Sequence, residues 1–110
     1  DDAVTKSVNY EFTRLPLILV ITLQKSEDKQ FIAYDGEMHV HEHLAEGKAA
    51  VRYALFAVLL HHGDAVDGHW TALTCHGGEW DHHDDATSSR VRVNDVVQKD
   101  AVMLLYKRLL

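Results

Sequence analysis

The sequence predicts an α+β fold that is mainly antiparallel β, built from about five or six strands with little helix, a count usual for one sheet. Three observations lead there. Apolar runs at Leu17 to Leu23, Tyr53 to Leu60 and Ala101 to Tyr106 have strand length and β-branched or aromatic content. Gly77-Gly78 separates two segments that suit a hairpin. Helical periodicity is weak throughout, and the same strand list also allows a small closed β-barrel.

In chain order, residues 1–13 mix charge with β-formers and suit an exposed lead-in, with a short strand near Val8 to Phe12. Leu15-Pro16 opens the first strong strand, because a proline lacks the N–H that the middle of a ladder needs. Leu17 to Leu23 is almost continuously apolar, as in a strand covered on both faces. Gln24 to Gln30 reads as a solvated turn, and Phe31 to Tyr34 as a second short strand turned at Asp35-Gly36.

Met38 to Leu44 carries His39, His41 and His43 at alternate positions, which a strand places on one face. That spacing suits a metal site, with His76, His82 or His83 as a further ligand. It equally suits an exposed edge strand, the reading preferred here, since coordination also needs convergent geometry and supporting hydrogen bonds.

Ala45 to Val51 reads as a linker or helical turn and Tyr53 to Leu60 as the second strong strand, ended by His61-His62-Gly63. Asp64 to Asp67, between Gly63 and Gly68, forms an acidic loop with a glycine at each end. Gly68, without a Cβ, tolerates positive φ and lets the chain turn sharply into His69. Trp70 to Cys75 is then a strand, and the returning strand runs from Glu79-Trp80 to Asp84-Asp85, so a carboxylate can stand beside the His69 ring. Ala86 to Arg90 is polar and turn-like, and Arg90 to Val93 alternates as a short strand with its valines inward. Asn94 N-caps a brief helical turn reaching Asp100, and Ala101 to Tyr106 is the last buried strand, closed by Lys107-Arg108.

Composition narrows the function classes. A 110-residue chain with 46% hydrophobic residues fits a single small domain or one lobe of a larger one, with enough apolar content for a packed core. A net charge of −6 argues against a nucleic-acid partner and suits one presenting basic residues. One cysteine excludes an internal disulfide and points to cytoplasm or nucleus. The apolar runs are too short for a helix to cross a bilayer, so no membrane partner is expected. No signal peptide is visible, and a sequence that opens on Asp1 without a methionine is expected to be a segment of something longer.

An imidazole beside a carboxylate is the base-and-orienter half of a nucleophilic triad: the ring takes a proton while the acid fixes its tautomer and supports its charge. The whole order is more specific than that pair. Leu15-Pro16 to Leu23, Tyr53 to Gly63, Gly68-His69-Trp70, Trp80 with Asp84 four residues on, and Ala101 to Arg108 together resemble the C-terminal His box of the ubiquitin-specific proteases, over roughly residues 12 to 108.

The resemblance implies the β-rich palm lobe of a papain-like cysteine protease, with residues 1–110 forming a single partial catalytic domain and the cysteine-box lobe absent. It implies His69 as general base, Asp84 as its orienting residue and Asp85 as an assisting neighbour. His61, Gly63, Asp64, Asp67, Gly68 and Trp70 would line the path of the substrate's C-terminal tail, the loop opening and shutting at its glycines. The substrate would be ubiquitin or a ubiquitin-like modifier, cut after its C-terminal glycine. The missing lobe of the same or another chain would complete the site, and no cofactor or metal is expected.

Departures are specific. The first strong strand ends Leu23-Gln24-Lys25-Ser26 where the family has Leu-Lys-Arg-Phe, Trp70 stands where it has tyrosine, and its cysteine box is missing from this sequence. Cys75 lies in the same strand as His69 and is read as structural. The alternative reading is an inactive lobe of the same fold, used as a scaffold or binding module.

Overall fold

The computed structural model describes residues 11–12, 15–23, 33–44, 47–64 and 66–109. The expected turn at Gln24 to Gln30, and the strand expectations at Val8 to Tyr10 and at Phe31-Ile32, lie outside them. The described strands are β1 (Glu11–Phe12), β2 (Ile18–Thr22), β3 (Glu37–Leu44), β4 (Gly47–His62), β5 (His69–His76), β6 (Glu79–Asp84), β7 (Thr87–Val91) and β8 (Ala101–Arg108). They form one sheet, antiparallel except where β1 runs parallel to β3. The mainly antiparallel expectation holds.

β4 is the spine. It pairs β3 through Gly47 to Ala54, β5 through Ala57 to His62, and β8 through Tyr53 to Leu60. Because Tyr53-Ala54 bond to β3 and β8 together, and Ala57 to Leu60 to β5 and β8 together, β3 and β5 must follow one another along one edge while β8 takes the other. The linker expected at Ala45 to Val51 is therefore corrected: Gly47 to Val51 is strand. Alternation explains it, since Val40 and Val51 face each other at 5% and 7% exposure while His39 and His41 point outward.

Tyr53, Val58, Leu60 and Leu73 are fully buried, joined in the core by Leu55, Trp80, Val96, Ala101, Leu104 and Tyr106. Tyr106 is wrapped closely enough that burial pushes its phenol up to about 12, while its hydroxyl donates to the Asp35 carbonyl at 2.7 Å. The Gly77-Gly78 turn joins β5 to β6 with φ of 60° and 82°, the left-handed backbone that a two-residue hairpin turn asks of both corners.

Four further expectations are corrected. β2 bonds only to β8 among the described strands, so it alternates instead of being covered twice, and Leu17, Ile18 and Val20 are exposed. Ala33-Tyr34 is not strand: the Tyr34 hydroxyl donates to the Val96 carbonyl at 2.6 Å and accepts the Gln98 N–H at 3.0 Å, making Tyr34 a post for the segment before β8. Thr87 to Arg90 is strand, because hairpin pairing with β6 overrides its polarity and Arg90 bonds to Asp81 and Glu79. Val93 is exposed in a single 3-10 turn, Val93–Asp95, whose cap position is Arg92 and not Asn94.

Candidate active site

β5 begins where the loop from β4 ends, and the hairpin to β6 returns the chain to the same end of the sheet. His69 opens β5 and Asp84 closes β6. Their side chains meet: His69 Nε2 lies 2.6 Å from Asp84 Oδ1. A carboxylate only accepts, so Nε2 carries the hydrogen, and in the neutral ring Nδ1 is left with a lone pair. The juxtaposition expected from the sequence is present.

Both side chains are about half exposed, at 49% and 46%. The hydrogen bond and charge of Asp84 raise the His69 pKa above the ordinary 6.5, and the more distant charge of Asp85 adds to the rise. Asp85 occupies the turn after β6 with φ of 53°, a left-handed conformation that Asp tolerates better than most residues. Each of the three residues offers a donor atom within 4.8 Å of the others.

The loop from Gly63 to Gly68 is braced from within. Asp64 Oδ1 accepts the N–H of Val66 at 3.0 Å and of Asp67 at 2.7 Å. Gly63 has φ of 91° and needs glycine for that reason. Gly68 does not, which corrects the expectation: its backbone is outside the left-handed region, and it is the His61 ring that leaves no room, since a Cβ on Gly68 would stand 1.9 Å from His61 Nε2. His61 and Trp70 face each other across β4 and β5, on the sheet face opposite His69, with ring centroids 4.7 Å apart. Trp70 remains 58% exposed. His61, Gly63, Asp64, Asp67, Gly68 and Trp70 thus gather at the sheet end that carries the dyad.

Other sequence candidates part from this site. His39 Nε2 bonds to Glu37 at 3.0 Å and pairs in register with Arg52, and among the described residues no metal-spaced group includes His39 or His41. The His43 side chain lies outside the description, and β3 is not a bare edge, since β1 pairs it at His41-Glu42. Cys75 pairs with Trp80 and packs against the core. Two further histidines use both ring nitrogens: His62, to which the sequence assigns no role, and His83, which it offers only as a further metal ligand. His62 bonds to Asp100 Oδ2 at 2.9 Å and to Thr71 Oγ1 at 3.0 Å, and His83 to Thr74 at 2.7 Å and Ser88 at 3.0 Å.

Comparison with known proteins gives a consistent picture. The family model described as ubiquitin carboxyl-terminal hydrolase matches residues 3–106. Ubiquitin carboxyl-terminal hydrolase 8 of Arabidopsis thaliana is 32% identical over 108 residues, which cover 87% of this chain and 12% of that protein. Ubiquitin carboxyl-terminal hydrolase 3 of Homo sapiens is 36% identical over 73 residues, covering 66% of this chain and 14% of that protein. This chain therefore spans only a small part of these relatives' length. Among solved structures, the SAGA Ubp8/Sgf11/Sus1/Sgf73 DUB module bound to ubiquitin aldehyde superposes with a TM-score of 0.75 at 22% identity, over 87% of this chain and 25% of the matched chain. A yeast SAGA DUBm structure with an Sgf73 mutant gives 0.74, also at 22% identity, over 87% of this chain and 26% of that one. These superpositions show the fold.

Proposed function

The chain belongs to the ubiquitin carboxyl-terminal hydrolase family, as part of a ubiquitin-specific protease domain, and from that premise we propose that it is the C-terminal His/Asp lobe of a cysteine-type deubiquitinase, with His69 as general base and Asp84 as its orienting acid. The observation that carries this reading is the 2.6 Å bond between His69 Nε2 and Asp84 Oδ1 at the end of the β5–β6 hairpin. It commits Nε2 to the carboxylate and leaves Nδ1 to exchange a proton with a nucleophile. Asp85 adds negative charge near the imidazolium.

The nucleophile comes from outside this sequence. Cys75 is its only cysteine and lies six residues along β5 from His69, roughly 20 Å at strand rise. In the reaction proposed, a thiol from the cysteine-box lobe gives its proton to His69 and attacks the carbonyl carbon of the modifier's last glycine, forming a thioester as the bond to the lysine nitrogen breaks. His69 then protonates the leaving lysine amine, and a water activated by the same ring hydrolyses the thioester. The partners are ubiquitin or a ubiquitin-like modifier and that lobe. The role proposed for His61, Trp70 and the Gly63–Gly68 loop is to line the path of the modifier's tail, and their gathering at the dyad's end of the sheet supports it.

The test is labelling of the full-length protein that carries this chain by ubiquitin bearing a C-terminal electrophile. Covalent labelling, abolished by His69→Ala, is expected. Equal labelling of variant and parent would overturn the assignment. A second reading, an inactive lobe used for binding, rests on Trp70 standing where the family has tyrosine, and it predicts no labelling of the parent.

A further inference from the structure

We propose that His62, clamped between Asp100 and Thr71, is a positioning residue for the His69–Asp84 dyad. This inference rests on the dyad's reading as the base and its orienting acid.

His62 ends β4 and is the Cα partner of His69, the first residue of β5. Directly paired residues project from the same face, so both side chains leave the same face at the sheet end. Beyond this pair the chain leaves for the Gly63–Gly68 loop, and the β4–β5 ladder offers His69 nothing further. Restraint there must come from side chains.

His62 supplies it at both ring nitrogens. Nδ1 donates to the Asp100 carboxylate, so in the neutral ring Nε2 accepts from the Thr71 hydroxyl. Turning the ring would break both bonds. Thr71 is 5% exposed, and a buried hydroxyl is costly unless paired, so the bond also secures its direction. Thr71 lies two residues from His69 on the same face and one register step past the Ala72–His83 pair, which sets it opposite Asp84. Asp100 holds the other side twice, since its carbonyl accepts the His61 N–H at 3.0 Å. The clamp therefore runs from the turn before β8, across the end of β4, to the β5 residue between the two members of the dyad.

Exposed charged pairs hold poorly by themselves, because side-chain entropy and water compete with the contact. The dyad is half exposed, whereas Asp100 is 21% exposed and Thr71 buried, so the rigid part of the assembly is the clamp.

The test uses the full-length protein, ubiquitin with a fluorogenic amide on its C-terminal glycine, and NMR titration of the His69 imidazole. His62→Phe keeps a ring and removes both bonds, Asp100→Asn weakens one, Thr71→Val removes the other, and Thr71→Ser keeps it. The first three are expected to lower kcat about tenfold or more with KM unchanged, within the roughly 100-fold that a 1 Å misplacement can cost. They should also move the His69 titration down toward 6.5. Thr71→Ser should restore both. A lowered melting temperature with kcat and the His69 titration unchanged would overturn the proposal. Should His62→Phe fail to fold, the Thr71→Val and Thr71→Ser pair decides. A parent that does not hydrolyse the substrate counts against the deubiquitinase reading, and the His69 titration then decides the clamp alone.

Discussion

The imidazole of His61 lies over the backbone of Gly68, with Nε2 1.9 Å from where a Cβ would stand, and the Asp64 carbonyl closes the same space at 2.5 Å. Gly68→Ala therefore has to displace a ring from its contact with Trp70 and shift the loop backbone as well. An overpacking cost of about 1–3 kcal/mol is expected, read as a lowered urea midpoint. In the full-length protein, labelling by the ubiquitin electrophile should slow by roughly 10- to 100-fold, since His69 is the next residue and small misplacements are costly. Wild-type rates would mean that His61 yields freely and that the packing does not set the site.

The raised pKa of His69 makes a signed prediction about pH. Asp84 and Asp85 favour the imidazolium in the folded state, so its stabilising contribution is fully present below the unfolded value near 6.5 and fades as pH rises through the higher folded value. NMR titration of His69 should give a midpoint above 6.5, and Asp84→Asn should lower it. The melting temperatures of parent and Asp84→Asn should converge once the pH passes the folded midpoint. A His69 midpoint unmoved by Asp84→Asn would show that the 2.6 Å bond does not persist in solution.

How much of this could be read beforehand depends on the range of the interactions involved. The β5–β6 hairpin is local: two glycines between apolar and aromatic segments announce it, and the meeting of His69 with Asp84 follows from its register. The first half of β4 was hidden because Lys48-Ala49-Ala50 carries weak β propensity, and only pairing with β3 makes it strand. Thr87 to Arg90 was hidden for the same reason. The clamp on His62 joins residues 38 positions apart through the β4–β8 register, which no local pattern encodes. The sequence marks Gly68 for dihedral freedom, whereas what the position demands is close approach, the His61 ring filling the space of a Cβ, and that ring's placement is not encoded locally.

Tyr34 offers a test of that long-range bracing. Its hydroxyl serves two backbone groups of the segment before β8, the Val96 carbonyl and the Gln98 N–H, and burial raises its pKa above 10.0. Tyr34→Phe keeps the packing and leaves both groups without that partner. A loss of about 1–3 kcal/mol in denaturant unfolding is expected, the usual cost of stranding buried polar groups. Because Asp100 follows two residues after Gln98, the His62 clamp should loosen with it, detectable as faster amide exchange at His61. Unchanged stability and exchange would show that water replaces the hydroxyl on both groups.

Cys75 separates the proposed division of labour from a self-contained one. Its side chain packs against the core opposite Trp80 on the β5–β6 ladder, roughly 20 Å of strand from His69, and a thiol there cannot pass its proton to that ring. Cys75→Ala in the full-length protein should leave electrophile labelling unchanged, at a stability cost of about 1 kcal/mol for the atoms removed from a partly buried site. The chain of residues 1–110 by itself should take no label. Labelling that depends on Cys75 would require the hairpin to open far enough to bring that thiol to the sheet end, and it would remove the need for a cysteine from outside.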